Sequence, residues 1–394
     1  MAKSRVYITK VESDAFAEID AAVKRTLGAF PAPDWDRRKK VYIKVNAICE
    51  SRPEEGYDTH PQVAVSVANW FRSHGFEVLI GENDGRRILA RTGVAELADK
   101  HGIPLHDPLS DLVERHITGA FLLKRTLISK TVLESHPVSI AKFKTHLEAL
   151  MSLSLKNMKG CVGGRLSGND EDERILYHRI GMSECIADIN LAMRPRMAVV
   201  DAIRAMEGIG PGRAMSKVRR LGLVVSGYDA VAVDATCCRI AGIEPREVKH
   251  VMLAARHGLG TAKANEIEIT GVPFEQAVAR DFALPPLDAS AISPVEGIEV
   301  LLGQPCSNCV SALATALMML KDEGMKLPDK SLEIVAGTNP LLEERTTEGR
   351  IILGRCLREV GRPEERVSGC PPAASFIVEA VRKFVRQRDF RPKS

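Results

Sequence analysis

Residues 40–82 decide the fold class, because KVYIKVNAI (40–48), HPQVAVSVANWFRSHG (60–75) and FEVLIGE (76–82) follow one another there. The first and third segments are short runs rich in Val and Ile, a composition typical of buried strands. The middle segment repeats its apolar residues at helical spacing. It has Pro61 in its first turn and Gly75 just past its end, the usual start and stop signals of an α-helix.

The same alternation of strand and helix continues along the chain. Further strands are predicted at 6–11, 138–144, 197–203 and 221–227, and further helices at 14–30 and 95–102. Near-continuous Val/Ile runs separated by helices are typical of a parallel sheet covered on both faces. We therefore predict the α/β class, with a mostly parallel sheet and helices on both faces, and leave the strand order open.

The length of 394 residues predicts more than one domain. The segment FALPPLDASAISPVE (282–296) has three prolines and small polar residues, the composition of a linker. Beyond it a second strand and helix alternation begins with IEVLLG and ends with the helix PAASFIVEAVRKFVRQ. We predict an α/β domain over 1–296 and a small C-terminal α/β metal-binding domain over 297–394.

The composition restricts the partners and the location. The net charge is only +4, from 55 basic and 51 acidic residues, and the basic residues are spread along the chain, which argues against nucleic acid. The N-terminus MAKSRVYITKV has no secretory pattern, and no run approaches the ~20 apolar residues that span a bilayer. We expect a cytoplasmic protein with no membrane partner. Its nine cysteines should then be reduced, as ligands, catalytic thiols or buried side chains.

Four cysteines in the last quarter of the chain form a candidate metal site. Cys306 and Cys309 lie in QPCSNCV just after the strand VLLG, Cys356 ends the strand IILG, and Cys370 lies in SGCPP before the last helix. The ends of parallel strands converge on one edge of a sheet, so these places can meet. Thiolates in such turns suit an iron–sulfur cluster or a tetrahedral zinc ion. We predict an iron–sulfur cluster of the 4Fe-4S type, with zinc as the alternative.

Other interpretations of these cysteines remain open. They can be separate buried thiols, since free cysteine is one of the most buried residue types. A redox dithiol at Cys306 and Cys309 would leave Cys356 and Cys370 unexplained. Structural zinc more often uses two compact C-x-x-C knuckles, whereas the third and fourth ligands here are single and distant. The remaining cysteines are predicted to be structural: Cys49, Cys161, Cys185, Cys237 and Cys238.

Polar residues gather where several predicted strands end. Lysines at the carboxyl edge of a sheet favour an anionic group such as a carboxylate or phosphate. The alternatives are a solvated basic face and, for Thr59, the cap of the helix that follows it. The residues concerned are Lys44 and Asn46, Thr59 and His60, Lys142, Lys144, Thr145 and His146, Lys156 and Asn157, and Asp201.

Five segments taken together resemble the family called domain of unknown function 362. They are YIKVNAI, DTHPQVAVSVANWFRSHGFEVLIGEND, AKFKTHLEALMSLSLKNMKG, VVDAIRAMEGIGPG and YDAVAVDATCCRIAGI, in family order over roughly residues 40–245. The resemblance implies an α/β fold for residues 1–296, an association with iron–sulfur clusters, and a shared ligand site at the polar positions above. Many members carry a two-cluster ferredoxin-type segment, C-x-x-C-x-x-C-x-x-x-C-P. This chain lacks that run, which favours one cluster.

Three functions follow as hypotheses. The first is an iron–sulfur oxidoreductase or electron-transfer protein with a small anionic substrate and an electron-donor protein as partner. Its candidate catalytic residues are His146, Lys144 and His60, with His146 or His60 as proton donor. The second is a non-redox enzyme of the lyase or transferase type with a structural cluster. The third is a metal-stapled binding protein without catalysis.

Overall fold

The computed structural model describes residues 3–166, 172–208, 210, 216–285, 293, 295–303, 305, 307–337, 347–369 and 371–388. Its strands are β1 Ser4–Lys10, β2 Val41–Lys44, β3 Val78–Gly81, β4 Leu105–His106, β5 Leu112–His116, β6 Arg125–Ser129, β7 His136–His146, β8 Leu150–Met151, β9 Met197–Gly208, β10 Ser216–Gly227, β11 Ile267–Gly271, β12 Ile298–Gly303, β13 Leu332–Gly337, β14 Gly349–Leu353 and β15 Arg366–Val367.

The helices alternate with these strands through most of the chain. They are α1 Phe16–Gly28, α2 Pro61–Ser73, α3 Gly85–Arg91, α4 Val94–Lys100, α5 Lys130–Glu134, α6 Leu153–Asn157, α7 Glu173–Ile180, α8 Met182–Met193, α9 Ala230–Ile240, α10 Lys249–Arg256, α11 Phe274–Ala277, α12 Ser307–Asp322 and α13 Ala374–Gln387. None of the helices in the described ranges is both long and apolar enough to cross a membrane.

The chain divides into two compact units. The first comprises Met1–Lys144, Ala149–Met206 and Val218–Ala283. The second comprises Leu284–Ser394 together with two short segments from earlier in the chain, Thr145–Glu148 and Glu207–Lys217. The second unit is therefore discontinuous in sequence, which linker composition alone does not reveal.

A large, mostly parallel sheet forms the centre of the first unit. Its described strands run in the order β11-β1-β10-β9-β7-β2-β3-β4, and β8 pairs with β7. The pairs β9–β7, β7–β2, β2–β3 and β3–β4 are parallel, whereas β1 and β10 are antiparallel. The α/β class predicted from the Val/Ile runs is confirmed.

Both faces of this sheet are covered. Neighbouring residues of a strand point to opposite faces, and Tyr42 and Ile43 of β2 pack into two different apolar clusters. Val63, Val67 and Phe71 of α2 join the cluster of Ile43, while residues of α8 and α9 join the cluster of Tyr42. The prediction of helices on both faces is confirmed.

Three strands are longer than the apolar pattern predicts. β7 reaches His146 rather than residue 144, β9 continues from residue 203 to Gly208, and β10 begins at Ser216 rather than at residue 221. The residues added to β9 and β10 include lysine, arginine and glutamate, and those added at the end of β7 are Thr145 and His146. Charged residues interrupt the apolar run that marks a buried strand, because burying them requires partners from other parts of the chain.

The second unit contains a smaller parallel sheet in the order β12-β13-β14-β15. Leu313 and Leu317 of α12 and Ile377 and Val381 of α13 pack in one apolar cluster with Ile334 of β13. The strands end at the same edge, since they all run in parallel. That edge is where the sequence places three cysteine-bearing segments.

Candidate functional site

Four adjacent strands of the first unit deliver polar side chains to one edge of the sheet. Lys44 ends β2, Glu82 follows directly after β3, Lys142 lies late in β7, and Asp201 lies in β9. In the register of the sheet, Lys44 is opposite Gly81 and Lys142 is opposite Asp201. Because β9, β7, β2 and β3 are neighbouring parallel strands, the register brings predicted site residues together at their carboxyl ends.

Lys44 and Glu82 form a buried ion pair at this edge. The Lys44 Nζ lies 2.6 Å from the Glu82 Oε1, and it also donates a hydrogen bond to the Val45 carbonyl at 2.6 Å. The other carboxylate oxygen, Oε2, accepts a hydrogen bond from the Ala47 N–H at 2.7 Å. Burial raises the pKa of Glu82, and the attraction of the Lys44 ammonium opposes that rise.

Sequence reasoning missed Glu82 as a site residue. The available signal was its position, immediately after the strand FEVLIG, where an acidic side chain falls at the same sheet edge as Lys44. Position alone does not distinguish it from the many acidic residues that lie in solvated loops.

Asn157 and Gly160 complete the surroundings of this ion pair. The Asn157 Nδ2 donates hydrogen bonds to the Lys44 carbonyl at 2.9 Å and the Ser139 hydroxyl at 3.1 Å. Its Oδ1 lies 3.4 Å from the Lys44 Nζ. A Cβ atom on Gly160 would lie 2.5 Å from the Lys44 Cε and 2.9 Å from the Glu82 Oε1, so only glycine fits there. The structure therefore joins the predicted residues Lys44 and Asn157.

Lys142, Asp201 and His60 form a second buried group. The Asp201 Oδ2 accepts hydrogen bonds from the Lys142 Nζ at 3.0 Å and from the His60 N–H at 2.8 Å. The Lys142 and Asp201 side chains are 1% and 0% exposed. Three predicted residues from three different elements thus share one carboxylate.

His60 also begins α2. Its ring Nδ1 accepts a hydrogen bond from the Gln62 N–H at 3.1 Å, so His60 rather than Thr59 is the helix cap. Burial lowers the pKa of His60, although the Asp201 carboxylate opposes this shift. A neutral ring that accepts at Nδ1 carries its proton on Nε2. The His60 Nε2–H is therefore a hydrogen-bond donor.

Asn46 and Thr59 join the loop after β2 to the loop before α2. The Thr59 hydroxyl accepts a hydrogen bond from the Asn46 N–H at 2.9 Å and donates one to the Ile140 carbonyl at 3.1 Å. The Asn46 Oδ1 is buried and has no hydrogen-bond partner among the described residues. A buried acceptor without a partner is unfavourable, so this oxygen is a place where a ligand or water donor fits.

Lys144 is a buried ammonium that forms no ion pair with any residue that the structure describes. Its Nζ donates a hydrogen bond to the Tyr57 carbonyl at 3.2 Å, and within the described ranges no carboxylate oxygen lies within 4.0 Å of it. Burial lowers the pKa of Lys144 to about 8, and the attraction of Asp58 and Glu82 only partly opposes that effect. An amine in this range can both give and take a proton near neutral pH.

The remaining polar predictions lie outside this arrangement. Lys156 is half-buried on α6, next to Asn157. Thr145 and His146 belong to the second unit, where the Thr145 hydroxyl donates to the Gly208 carbonyl at 2.7 Å and the His146 Nδ1 accepts from the Glu148 N–H at 3.2 Å. Lys156, Thr145 and His146 are therefore not part of the buried site of the first unit. That site consists of Lys44, Asn46, Thr59, His60, Glu82, Lys142, Lys144, Asn157 and Asp201.

Two of the four predicted metal ligands, Cys306 and Cys370, lie outside the described residues. Cys309 is in α12, and Cys356 is in the short turn after β14. A Cβ atom on Gly354 would lie 3.5 Å from the Cys309 Sγ and 3.6 Å from the Cys356 Sγ.

The segment before Cys370 reaches the same place. The Gly369 carbonyl oxygen lies 3.9 Å from that Gly354 Cβ position. Gly354 and Gly369 have φ of +89° and +128°, values that favour glycine. Within the part of the chain that the structure describes, no group of three His, Cys, Asp or Glu side chains could hold a metal. The four-cysteine site remains a prediction, and its three segments approach one another as the prediction requires.

The fold and the buried polar site define an α/β protein with a candidate ligand site at the carboxyl edge of a parallel sheet. Residues 41–239 match the family described as Domain of unknown function (DUF362), half of the chain, and the chain belongs to that family. The resemblance inferred from the sequence is confirmed. The chain is also 24% identical over 237 residues, 57% of its length, to "Thylakoid-associated protein sll1697" of Synechocystis sp., 70% of which is covered.

Proposed function

We propose that this protein is an iron–sulfur oxidoreductase or electron-transfer protein that acts on a small anionic molecule. The observation that carries the proposal is the approach of Cys309, Cys356 and the segment before Cys370 around Gly354. The proposed location is the cytoplasm, where thiols stay reduced, and the proposed partner is an electron-donor protein. We propose neither a nucleic acid nor a membrane as a partner.

The residues around Gly354 fit a metal–sulfur group. The Cys309 and Cys356 sulfur atoms both lie within 4 Å of the position that a Cβ on Gly354 would take, and Cys309 is 2% exposed. Cys306 precedes Cys309 by three residues, and Cys370 follows Gly369 directly. These four thiols would hold a 4Fe-4S cluster, and the bound cluster would supply one-electron transfer. The same four thiols would hold zinc as a structural ion, which is the lesser alternative.

The anionic substrate is assigned to the buried site of the first unit. Lys44 and Lys142 are each paired with a carboxylate, whereas Lys144 has none within ion-pair distance among the described residues. Lys144 is therefore the ammonium that a substrate anion would meet. The Asn46 Oδ1 would accept a hydrogen bond from the substrate, and the His60 Nε2–H would donate a hydrogen bond to it.

The test is anaerobic purification followed by iron, sulfide and zinc analysis with an optical spectrum. We expect about four iron and four sulfide per chain and a brown chromophore that bleaches on reduction. Cys309→Ser and Cys356→Ser should lose iron and colour. Cys49→Ser, at a half-buried cysteine outside the predicted ligand set, should keep both. A colourless protein with one zinc per chain, or unchanged iron in both ligand variants, would contradict the proposal.

A non-redox enzyme of the lyase or transferase type is the second candidate, and Lys144 is the observation that favours it. A buried amine with a pKa of about 8 and no ion pair among the described residues serves as a general base without any electron transfer. The two candidates differ in their dependence on reductant. Turnover of an anionic substrate that continues without an electron donor and is lost in Lys144→Gln would favour the second candidate over the first.

A further inference from the structure

A cavity in the first unit lies at the sheet edge opposite to the buried polar site. Its volume is about 730 Å³. Arg194 and Arg196, which line it, directly precede β9, the strand that carries Asp201 further along. Trp35 lines it from the segment before β2. The cavity is therefore at the amino ends of strands whose carboxyl ends carry the buried lysines.

One wall of the cavity is aromatic and holds an arginine in place. Trp35 is 7% exposed and stacks on Phe71, with ring centroids 5.5 Å apart. The guanidinium carbon of Arg196 lies 5.4 Å from the centroid of the Trp35 ring. A guanidinium held over an aromatic ring keeps its N–H edge free for an anion. Tyr228 extends the wall, and its hydroxyl is already used in a hydrogen bond to the Pro31 carbonyl.

The arginines of this cavity have no carboxylate partner within the described part of the chain. Neither the Arg194 nor the Arg196 guanidinium has a carboxylate oxygen within 4.0 Å in the ranges that the structure describes. Asp34 is the one acidic residue among the described lining residues. Arg194 also has φ of +47°, an uncommon backbone conformation for a non-glycine residue, and its N–H donates to the Asn190 carbonyl at 2.7 Å.

The N-terminus of α9 opens into the same cavity. Ala230 and Val231 line it, and their N–H groups have no acceptor among the described residues. Asp229 is the N-cap residue of α9, and its carboxylate accepts a hydrogen bond from the Ala232 N–H of the first turn at 2.9 Å, which leaves the Ala230 and Val231 N–H groups. The first N–H groups of a helix favour an anion through their orientation and the helix dipole.

We propose that this cavity binds a phosphate monoester with a planar or apolar body, such as a nucleoside monophosphate. Two guanidiniums and the N–H groups of α9 make three sets of donors along the lining, which suits the three terminal oxygens of a phosphate better than the two of a carboxylate. The volume lies within the range of about 300–1,000 Å³ that is usual for small-molecule sites. The site depends on the first unit alone and not on the proposed cluster.

The experiment is calorimetric titration of the full chain with AMP, adenosine and inorganic phosphate. AMP should bind, adenosine should show no binding at the same concentrations, and inorganic phosphate should bind at least tenfold more weakly than AMP. Arg196→Ala and Arg194→Ala should each weaken AMP binding at least tenfold. Arg196→Lys should recover only part of the affinity, because lysine keeps the charge without the stacked fork.

Arg115→Ala is the matched control, since Arg115 is an exposed arginine of β5 outside the cavity. It should bind AMP as the wild-type protein does. Equal affinity for adenosine and AMP would overturn the anion assignment. Unchanged AMP affinity in both Arg194→Ala and Arg196→Ala, or no AMP binding at millimolar concentration, would overturn the site.

Discussion

The Nζ of Lys44 and the Oε1 of Glu82 lie 2.6 Å apart at the ends of two neighbouring parallel strands, with 1% and 4% of their side chains exposed. Each charge has left water, and each depends on the other for compensation. The pair is therefore expected to be tied to folding as well as to ligand binding.

Removing one partner of this pair should destabilise the protein strongly. Lys44→Met leaves the Glu82 carboxylate buried without its cation, which should lower the free energy of unfolding by about 3–5 kcal/mol. Urea unfolding followed by circular dichroism measures the change. Lys100→Met removes the cation of the exposed pair with Glu96 on α4 and should leave the unfolding midpoint unchanged within error. Equal effects of the two substitutions would contradict the importance assigned to burial.

A methyl group added at Gly160 should also disturb the ion pair of Lys44 and Glu82. Gly160→Ala would bring a Cβ to 2.5 Å from the Lys44 Cε and 2.7 Å from its Nζ, which should cost about 1–3 kcal/mol of folding free energy. Gly28→Ala is the control, because a Cβ on this α1 residue meets no atom within 4 Å. It should be neutral or slightly stabilising. Thermal unfolding compares the two variants. An unchanged unfolding temperature in Gly160→Ala would show that Gly160 does not lie this close to the Lys44 side chain.

The fold class could be predicted from the sequence because Val/Ile runs and helical spacing are local signals. The full length of β7 could not, because the apolar run stops before Thr145 and His146. The partners of the buried Lys142 and Lys144 could not be predicted either. Lysines become buried strand residues only when acidic or carbonyl partners come from elsewhere, as Asp201 and Tyr57 do here. Those partners are 59 and 87 positions away in the chain.

The sequence predicted only part of the buried polar site, again because its partners are distant in the chain and meet only in the fold. The lysines, Asn157, Asp201 and His60 all end up at one sheet edge, but Glu82 was missed, since its pairing with Lys44 follows from strand order. The cavity at the opposite sheet edge is lined by Trp35, Arg196 and Tyr228, which lie in three separate loops. No motif links those loops in sequence, so only the folded chain reveals them.

The cysteines of the first unit should differ in their rate of alkylation according to their exposure to solvent. Cys49 is half-buried, whereas Cys161, Cys185, Cys237 and Cys238 are fully buried. Burial also raises the pKa of Cys161 and Cys185 to about 12, which leaves almost no reactive thiolate. Iodoacetamide treatment of the native protein with peptide mass spectrometry should label Cys49 first, and the other four should react only after denaturation. Labelling of Cys161 at the rate of Cys49 would contradict the burial described.

Lys144 should give the protein an unusual pH dependence of stability. Its pKa is about 8 in the folded protein, because of burial, against the ordinary lysine pKa of 10.5 in the unfolded chain. Between these values the unfolded chain binds more protons, so the free energy of unfolding rises with pH. Below about pH 8 both states are protonated, and the cost of burying the charge is present in full. The stability gained between about pH 8 and pH 10.5 should approach about 3 kcal/mol.

Lys144→Met isolates this contribution, because it removes the titrating amine and keeps much of its apolar stem. The variant should be more stable than the wild-type protein at pH 7, and the difference between them should shrink as the pH rises to 10. Taking the difference cancels the titration of the other groups that both proteins share. Urea unfolding at pH 7, 8, 9 and 10 measures it. Parallel stability curves would mean that Lys144 keeps an ordinary pKa in the folded protein, and the amine would then lose its suitability as a proton acceptor near neutral pH.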